Sequence, residues 1–253
     1  MPTEKNHRDE LVRFGAMVHQ QGWVAATDGN LSVRLDDKTV LTTPTGVSKG
    51  MMKPEDMVVV DLDGIKLGGE RNASSELQMH LTIYRTRPDV RAVLHAHPPV
   101  ATGFACAGIA LDQPMCAEVV VTLGAIPVAE YATTGTPQLS ESLLPYLPDY
   151  DAILLANHGA VSYGCDLENA YFKMETVEHF AKVVLTTIQI GKHNVLSEEN
   201  VRKLVEARAK YAGLRSQASL PPGPVGSKMW VLKSIGFAAF TALCSNSELF
   251  SIA

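Results

Sequence analysis

Apolar residues recur along this chain in two rhythms, and their alternation lays out a mixed fold. Leu11, Phe14, Ala16 and Val18 fall at roughly helical spacing over residues 6–21, and Gly22 ends the run. The stretch "TDGNLSVRL" turns at Gly29-Asn30 into an alternating strand. "TVLTTPTGVSKG" predicts a second strand running into a Pro/Gly-rich loop, and "MVVVDLDG" a third strand closed by a turn. Residues 73–86, "ASSELQMHLTIYRT", carry an amphipathic helical pattern with Ser74 or Ser75 as N-cap and Pro88 beyond the end. A strand over 90–97, a small-residue helix near 99–107, a strand over 125–131 and a helix from Pro137 to about Leu147 follow. "DAILLANHGAVSYG" reads as a strand, a tight turn at His158-Gly159 and a return strand. The spacing then predicts a long helix over 167–190, stopped by Gly191, and a last helix over 197–214.

These elements lack the strict alternation of a doubly wound parallel sheet. The pattern predicts an α/β fold with a central, largely antiparallel sheet and helices on its faces. Beyond Ser216 the composition shifts to "ASLPPGPVGSK". Residues 1–217 are therefore expected to form one domain, with 218–253 a peripheral tail outside its core.

Composition narrows the function classes. A chain of 253 residues, 46% of them hydrophobic, can bury one substantial core. The net charge of −5 and the scattered lysines and arginines exclude the basic footprint of a nucleic-acid binder. The charged start, "MPTEKNHRDELVRF", lacks a signal-peptide core, and the apolar segment Met229 to Cys244 is broken by Lys233 and Gly236. A soluble protein with no membrane partner is expected. Cys106, Cys116, Cys165 and Cys244 make no C-x-x-C pair, which fits a reduced, cytoplasmic protein.

Candidate chemistry gathers at strand ends. In "VRAVLHAHPP", His95 and His97 are two residues apart, so a strand would project both from one face. That suits two ligands of one metal ion, and equally two structural histidines hydrogen-bonded at a strand end. His158, in "LLANHGAV", has the same strand-end placement. Three imidazoles with an open or carboxylate position form the pattern of a catalytic zinc site. Glu76, near the start of the 73–86 helix, reads as a helix-dipole carboxylate or as a fourth ligand and proton carrier. His80, four residues on, reads as a packing or supporting residue. Gly29-Asn30, Thr45-Gly46 and Ser74-Ser75 offer hydroxyls, an amide and backbone N–H groups suited to an anion.

Taken in order, "GNLSVR", "LTTPTGV", "SSELQMHLTIYRTRPDVRAVLHAHPP", "AEYATTGT" and "ANHGAVSYGCDLENAYFKMETVEHFAK" resemble the class II aldolase/adducin family, and within it the L-fuculose-phosphate aldolase type. The resemblance spans about residues 5–215. It implies a three-layer α/β/α sandwich around a mostly antiparallel sheet, and a cyclic homotetramer with active sites between subunits. It further implies His95, His97 and His158 as ligands of Zn2+ (Mn2+ or Co2+ as substitutes). Glu76 is implied as an acid/base residue that can also ligate the metal, and Asn30, Thr45, Gly46, Ser74 and Ser75 as the substrate-phosphate site. Tyr131 matches a tyrosine that reaches a neighbour's site to protonate the aldehyde oxygen. Glu175, Glu178 and His179 fit the pattern of the long late helix without a catalytic role. Relatives of this type carry a tyrosine on a C-terminal segment; Tyr211 is the nearest counterpart and is assigned no role.

The implied reaction is reversible cleavage of a phosphorylated ketose, like L-fuculose 1-phosphate, into dihydroxyacetone phosphate and an aldehyde through a metal-stabilised enediolate. The alternative keeps the metal and changes the reaction to 4-epimerisation, dehydration or decarboxylation of a phosphorylated keto-sugar or keto-acid. The epimerase branch carries Asp where this chain has Glu76, which favours the aldolase. A non-enzymatic scaffold, as in the adducin branch, would need neither the histidines nor the polar loops.

Overall fold

The computed structural model describes residues 3–211; the tail expected over 218–253 lies outside the described residues. Seven α-helices and eight strands are described. α1 (Glu4–Gln20) is capped by Thr3, which accepts the Asn6 N–H. β1 (Asn30–Arg34), β2 (Thr39–Thr42), β3 (Val58–Asp61) and β4 (Lys66–Gly68) come next. α2 (Leu77–Thr86), β5 (Ala92–Ala96), α3 (Pro99–Ala107), α4 (Ala117–Thr122), β6 (Val128–Ala129) and α5 (Pro137–Leu143) follow. β7 (Ala152–Leu155), β8 (Gly159–Gly164), α6 (Leu167–Ile190) and α7 (Glu198–Tyr211) complete the fold.

The strands form one sheet in the order β4-β3-β2-β1-β5-β8-β7-β6. Every pairing is antiparallel except β6 with β7. The pleat sends alternate residues to opposite faces. Ala92, Leu94 and Ala96 of β5, with Ala152 and Leu154 of β7, join a core with α1, α3, α4 and α6. Val93, Ile153, Leu155 and Val161 join a second core with α2 and α5. The result is the expected α/β/α sandwich around a mostly antiparallel sheet. Among the described residues, no helix is long and apolar enough to cross a membrane.

Two local expectations differ from the structure, and two elements had no counterpart in the sequence pattern. α2 begins at Leu77 rather than at residue 73: Ala73 bridges to Pro44, and the Ser74 Oγ accepts the Glu76 N–H, which holds 73–76 in a turn. The strand over 125–131 contracts to Val128–Ala129, because only these residues pair with β7. Residues 117–122, "AEVVVT", form a helix despite three consecutive valines, since Val119 and Val120 bury themselves on that helical face. β4 was not anticipated; it is a short, exposed edge strand.

One buried acid braces the site's surroundings. Glu178 of α6 is 2% exposed and accepts the N–H groups of Val100 and Ala101, at 3.2 and 2.9 Å, in the first turn of α3. Lys182 lies 3.3 Å from the other oxygen. Glu178 thereby caps the helix that leaves His97 through Pro98, while Glu175 and His179 are exposed. Glu178→Ala is expected to cost about 1–3 kcal/mol by stranding buried N–H groups, read as a lower denaturant midpoint. Glu178→Gln, which keeps an acceptor, is expected to cost less.

Candidate active site

The site assembles where β5 ends. Alternation puts His95 on the face of Val93, toward α2, and the side chain is fully buried. Its Nδ1 pairs with the carbonyl of Ala160 at 2.9 Å. With that nitrogen donating, the neutral ring presents an unprotonated Nε2. His97 follows the strand, its N–H held by the Trp23 carbonyl at 2.8 Å. His158 sits in the turn between β7 and β8, after Asn157 in the left-handed region at φ 55°. Antiparallel pairing of β5 with β8 sets Ala96 opposite Ala160, which brings that turn beside the two histidines. Gly159 is required there: a Cβ would stand 2.5 Å from His97 Cδ2 and 2.6 Å from the Ala96 carbonyl.

The three rings converge. His95 Nε2 and His97 Nε2 are 3.1 Å apart, and one ligand atom from each of His95, His97 and His158 lies within 4.8 Å of the others. Glu76, just ahead of α2, completes the group. Its Oε2 is 3.3 Å from His95 Nε2, and its buried Oε1 is 3.2 Å from His158 Nε2 without hydrogen-bonding geometry. Asp28 Oδ2 stands 3.6 Å from His97 Nδ1, on the outer side of that ring.

The electrostatics favour an ionised Glu76 carboxylate beside a neutral His97. Burial works to raise Glu76, but neighbouring His95 and His158 outweigh it and hold the carboxyl well below the usual carboxylate range. Burial, then His95 and His158, push His97 down to about 3. His80 is likewise pushed down to about 3 by burial and then by His95. It is fully buried, with its Nδ1 2.7 Å from the Ser32 hydroxyl, which also bonds the Tyr84 hydroxyl at 2.8 Å. His80 thus packs behind the cluster. Three imidazole nitrogens and an ionised carboxylate form a donor set that could hold a divalent cation of the zinc type.

The polar loops border this group. Asn30, at the start of β1 and paired with His95, donates from Nδ2 to Glu76 Oε2 at 2.8 Å; its Oδ1 is buried without a partner. The Thr45 N–H is bonded to the Asn72 carbonyl at 3.0 Å, which sets the Thr45-Gly46 turn beside the 72–76 turn. Gly46 has φ 70°, and Thr45, Gly46 and Ser75 are exposed. Ser74 is half-buried through its bond to the Glu76 N–H. Tyr131 is different: it is 63% exposed, whereas the histidines and Glu76 are buried or half-buried. Asp28 and Lys49 escaped the sequence reading, which took Gly159 as a turn residue only. Asp28 adjoins a turn signal that could have flagged it, whereas Lys49 looks like any surface-loop lysine.

A sheet-borne cluster of this kind defines a candidate divalent-metal centre. The family model for the Class II Aldolase and Adducin N-terminal domain matches residues 9–185, and the chain belongs to that family. It is 34% identical over 215 residues to the 5-deoxy-D-ribulose 1-phosphate aldolase of Bacillus thuringiensis serovar kurstaki, covering 84% of this chain and 99% of the relative. It is 37% identical over 189 residues to the 3-oxo-tetronate 4-phosphate decarboxylase of Pectobacterium atrosepticum, covering 73% and 86%. A solved L-fuculose 1-phosphate aldolase superposes with a TM-score of 0.74 at 35% identity, covering 79% of this chain and 94% of that one.

Proposed function

We propose that the protein is a zinc-dependent aldolase that reversibly cleaves a phosphorylated ketose between C3 and C4. The observation that carries this reading is the convergence of His95, His97, His158 and Glu76 beside three polar turns. Zinc, or Mn2+ or Co2+ in its place, would be held by the three imidazoles, with Glu76 able to join them. When bound, such a cation supplies a Lewis acid toward the ketose carbonyl and its neighbouring hydroxyl.

The remaining work belongs to the chain. Asn30, Thr45, Gly46, Ser74 and Ser75 hold the substrate phosphate and fix the three-carbon fragment, so that positioning contributes to rate. In the condensation direction, Glu76 removes the proton from the carbon that becomes the nucleophile. Asn30 Nδ2 orients the carboxylate. Tyr131 of the partner subunit gives a proton to the aldehyde oxygen, and cleavage reverses both transfers. The exposure of Tyr131 in the single chain supports its serving a neighbour in a homotetramer. The free thiols Cys106 and Cys116 suit the reducing cytoplasm.

A second reading, decarboxylation of a phosphorylated 3-oxo acid, is supported by the 37% identity to the tetronate decarboxylase. Both reactions break a carbon–carbon bond and leave an enediolate, so one site serves either. Metal analysis of the purified protein, followed by parallel assays of ketose 1-phosphates and 3-oxo-acid 4-phosphates, separates them. Aldehyde release with dihydroxyacetone phosphate supports the aldolase; carbon dioxide release overturns it in favour of the decarboxylase.

The phosphate site has its own test. Ser74→Ala with Ser75→Ala is expected to weaken phosphorylated substrates by about 1.5–3 kcal/mol per charge-assisted hydrogen bond lost. Metal content should stay normal, and an unphosphorylated analogue should be affected far less. Equal losses for both substrates would reduce the serines to turn formers.

A further inference from the structure

Lys49 is 1% exposed, an unusual place for an ammonium, and the mechanism above leaves it without a task. Its segment is pressed against α1. A Cβ on Gly15 would stand 3.0 Å from the Lys49 carbonyl, and one on Gly50 would meet the His19 ring at 2.7 Å. The side chain runs inward, and Nζ donates to the carbonyls of Thr27 at 2.9 Å and Val47 at 2.8 Å. Those carbonyls belong to two different turns. Thr27 leads into Asp28-Gly29-Asn30, and Val47 follows Thr45-Gly46. Burial pushes Lys49 down to about 8, while Asp28 and Glu76 favour its charged form, so the ammonium persists at neutral pH and lies within the electrostatic reach of the site.

We propose that Lys49 is a positioning residue for the oxyanion pocket: its buried ammonium ties the 27–30 turn to the 45–47 turn and sets the affinity for the substrate's phosphate without touching it. This rests on the phosphate-site reading above. A neutral side chain of similar length would fill the space but leave both carbonyls unbonded and remove a positive charge from beneath the pocket. Arginine would keep the charge and the donors.

The test is calorimetric titration of inorganic phosphate into the full-length, metal-loaded protein, with metal content and thermal midpoint recorded for each variant. Phosphate binding by the wild type, lost in Ser74→Ala with Ser75→Ala, establishes the pocket; if those serines do not matter, the phosphate-site reading fails on its own. With the pocket established, Lys49→Met is expected to weaken phosphate at least about tenfold at unchanged metal content, and Lys49→Arg to return it to within about threefold of wild type. Phosphate binding by Lys49→Met within about threefold of wild type, or no recovery with arginine, overturns the proposal. Should Lys49→Met not fold, Lys49→Gln is read against the same thresholds. Failure of both neutral variants to fold would make Lys49 a residue of the fold and overturn it equally.

Discussion

Replacing His95 or His158 by alanine is expected to release the metal and abolish turnover. Each contributes one of three imidazoles whose ligand atoms lie within 4.8 Å of one another. Losing a hydrogen-bonding partner behind a ligand already costs about 10–100-fold in metal affinity, and losing the ligand itself should cost more. The two replacements differ in what they disturb. His95 is fully buried and bonded to Ala160, so its loss opens a cavity in the sheet. His158 lies in a turn, and its loss should lower the thermal midpoint less. His80→Gln is the control: it alters a buried imidazole behind the cluster and should retain metal. Elemental analysis and turnover decide the matter. Stoichiometric metal with near-normal activity in either alanine variant would reject the ligand assignment.

The long helix was legible to the residue, from Leu167 to Ile190, because its stops are local. Asp166 accepts the Asn169 N–H at 2.7 Å, and Gly191 adopts φ 79°, a conformation glycine enters freely. The strand-end character of His95, His97 and His158 was legible in the same way, as histidines after apolar runs. The approach of His158 to the other two was not, since it depends on β5 pairing with β8 across more than sixty residues of chain. The resemblance to a family supplied it in advance. Local rules failed where tertiary contacts overrode propensity, as in the valine-rich α4 and the turn that holds Glu76 ahead of α2. The role of Asn30 shows the remaining gap. Periodicity marks it as a turn residue, but only the β1–β5 register brings its amide to Glu76 at 2.8 Å. Lys49 lies beyond sequence reasoning altogether: its burial follows from how its loop packs on Gly15 and His19.

Glu76→Gln is expected to lower kcat by about 10²–10⁴-fold, the usual contribution of a positioned acid–base group. The amide can still accept from Asn30 Nδ2, so the fold and much of the local order should survive. Tyr131→Phe should also lower kcat, yet the residue is 63% exposed in the single chain while Glu76 is nearly enclosed. That contrast is what a shared site between subunits demands. If the tyrosine serves a neighbour, a mixed oligomer of Glu76→Gln and Tyr131→Phe subunits contains some interfaces where an intact Glu76 meets an intact Tyr131. Such interfaces should be active even though each pure variant is not. Activity should follow the mixing ratio, peak near equal proportions and require exchange of subunits, which size-resolved detection of two differently tagged chains can verify. Verified mixed oligomers with no more activity than the parent variants would remove the shared site. Tyr131 would then be a surface residue, and the proton on the aldehyde oxygen would have to come from another group.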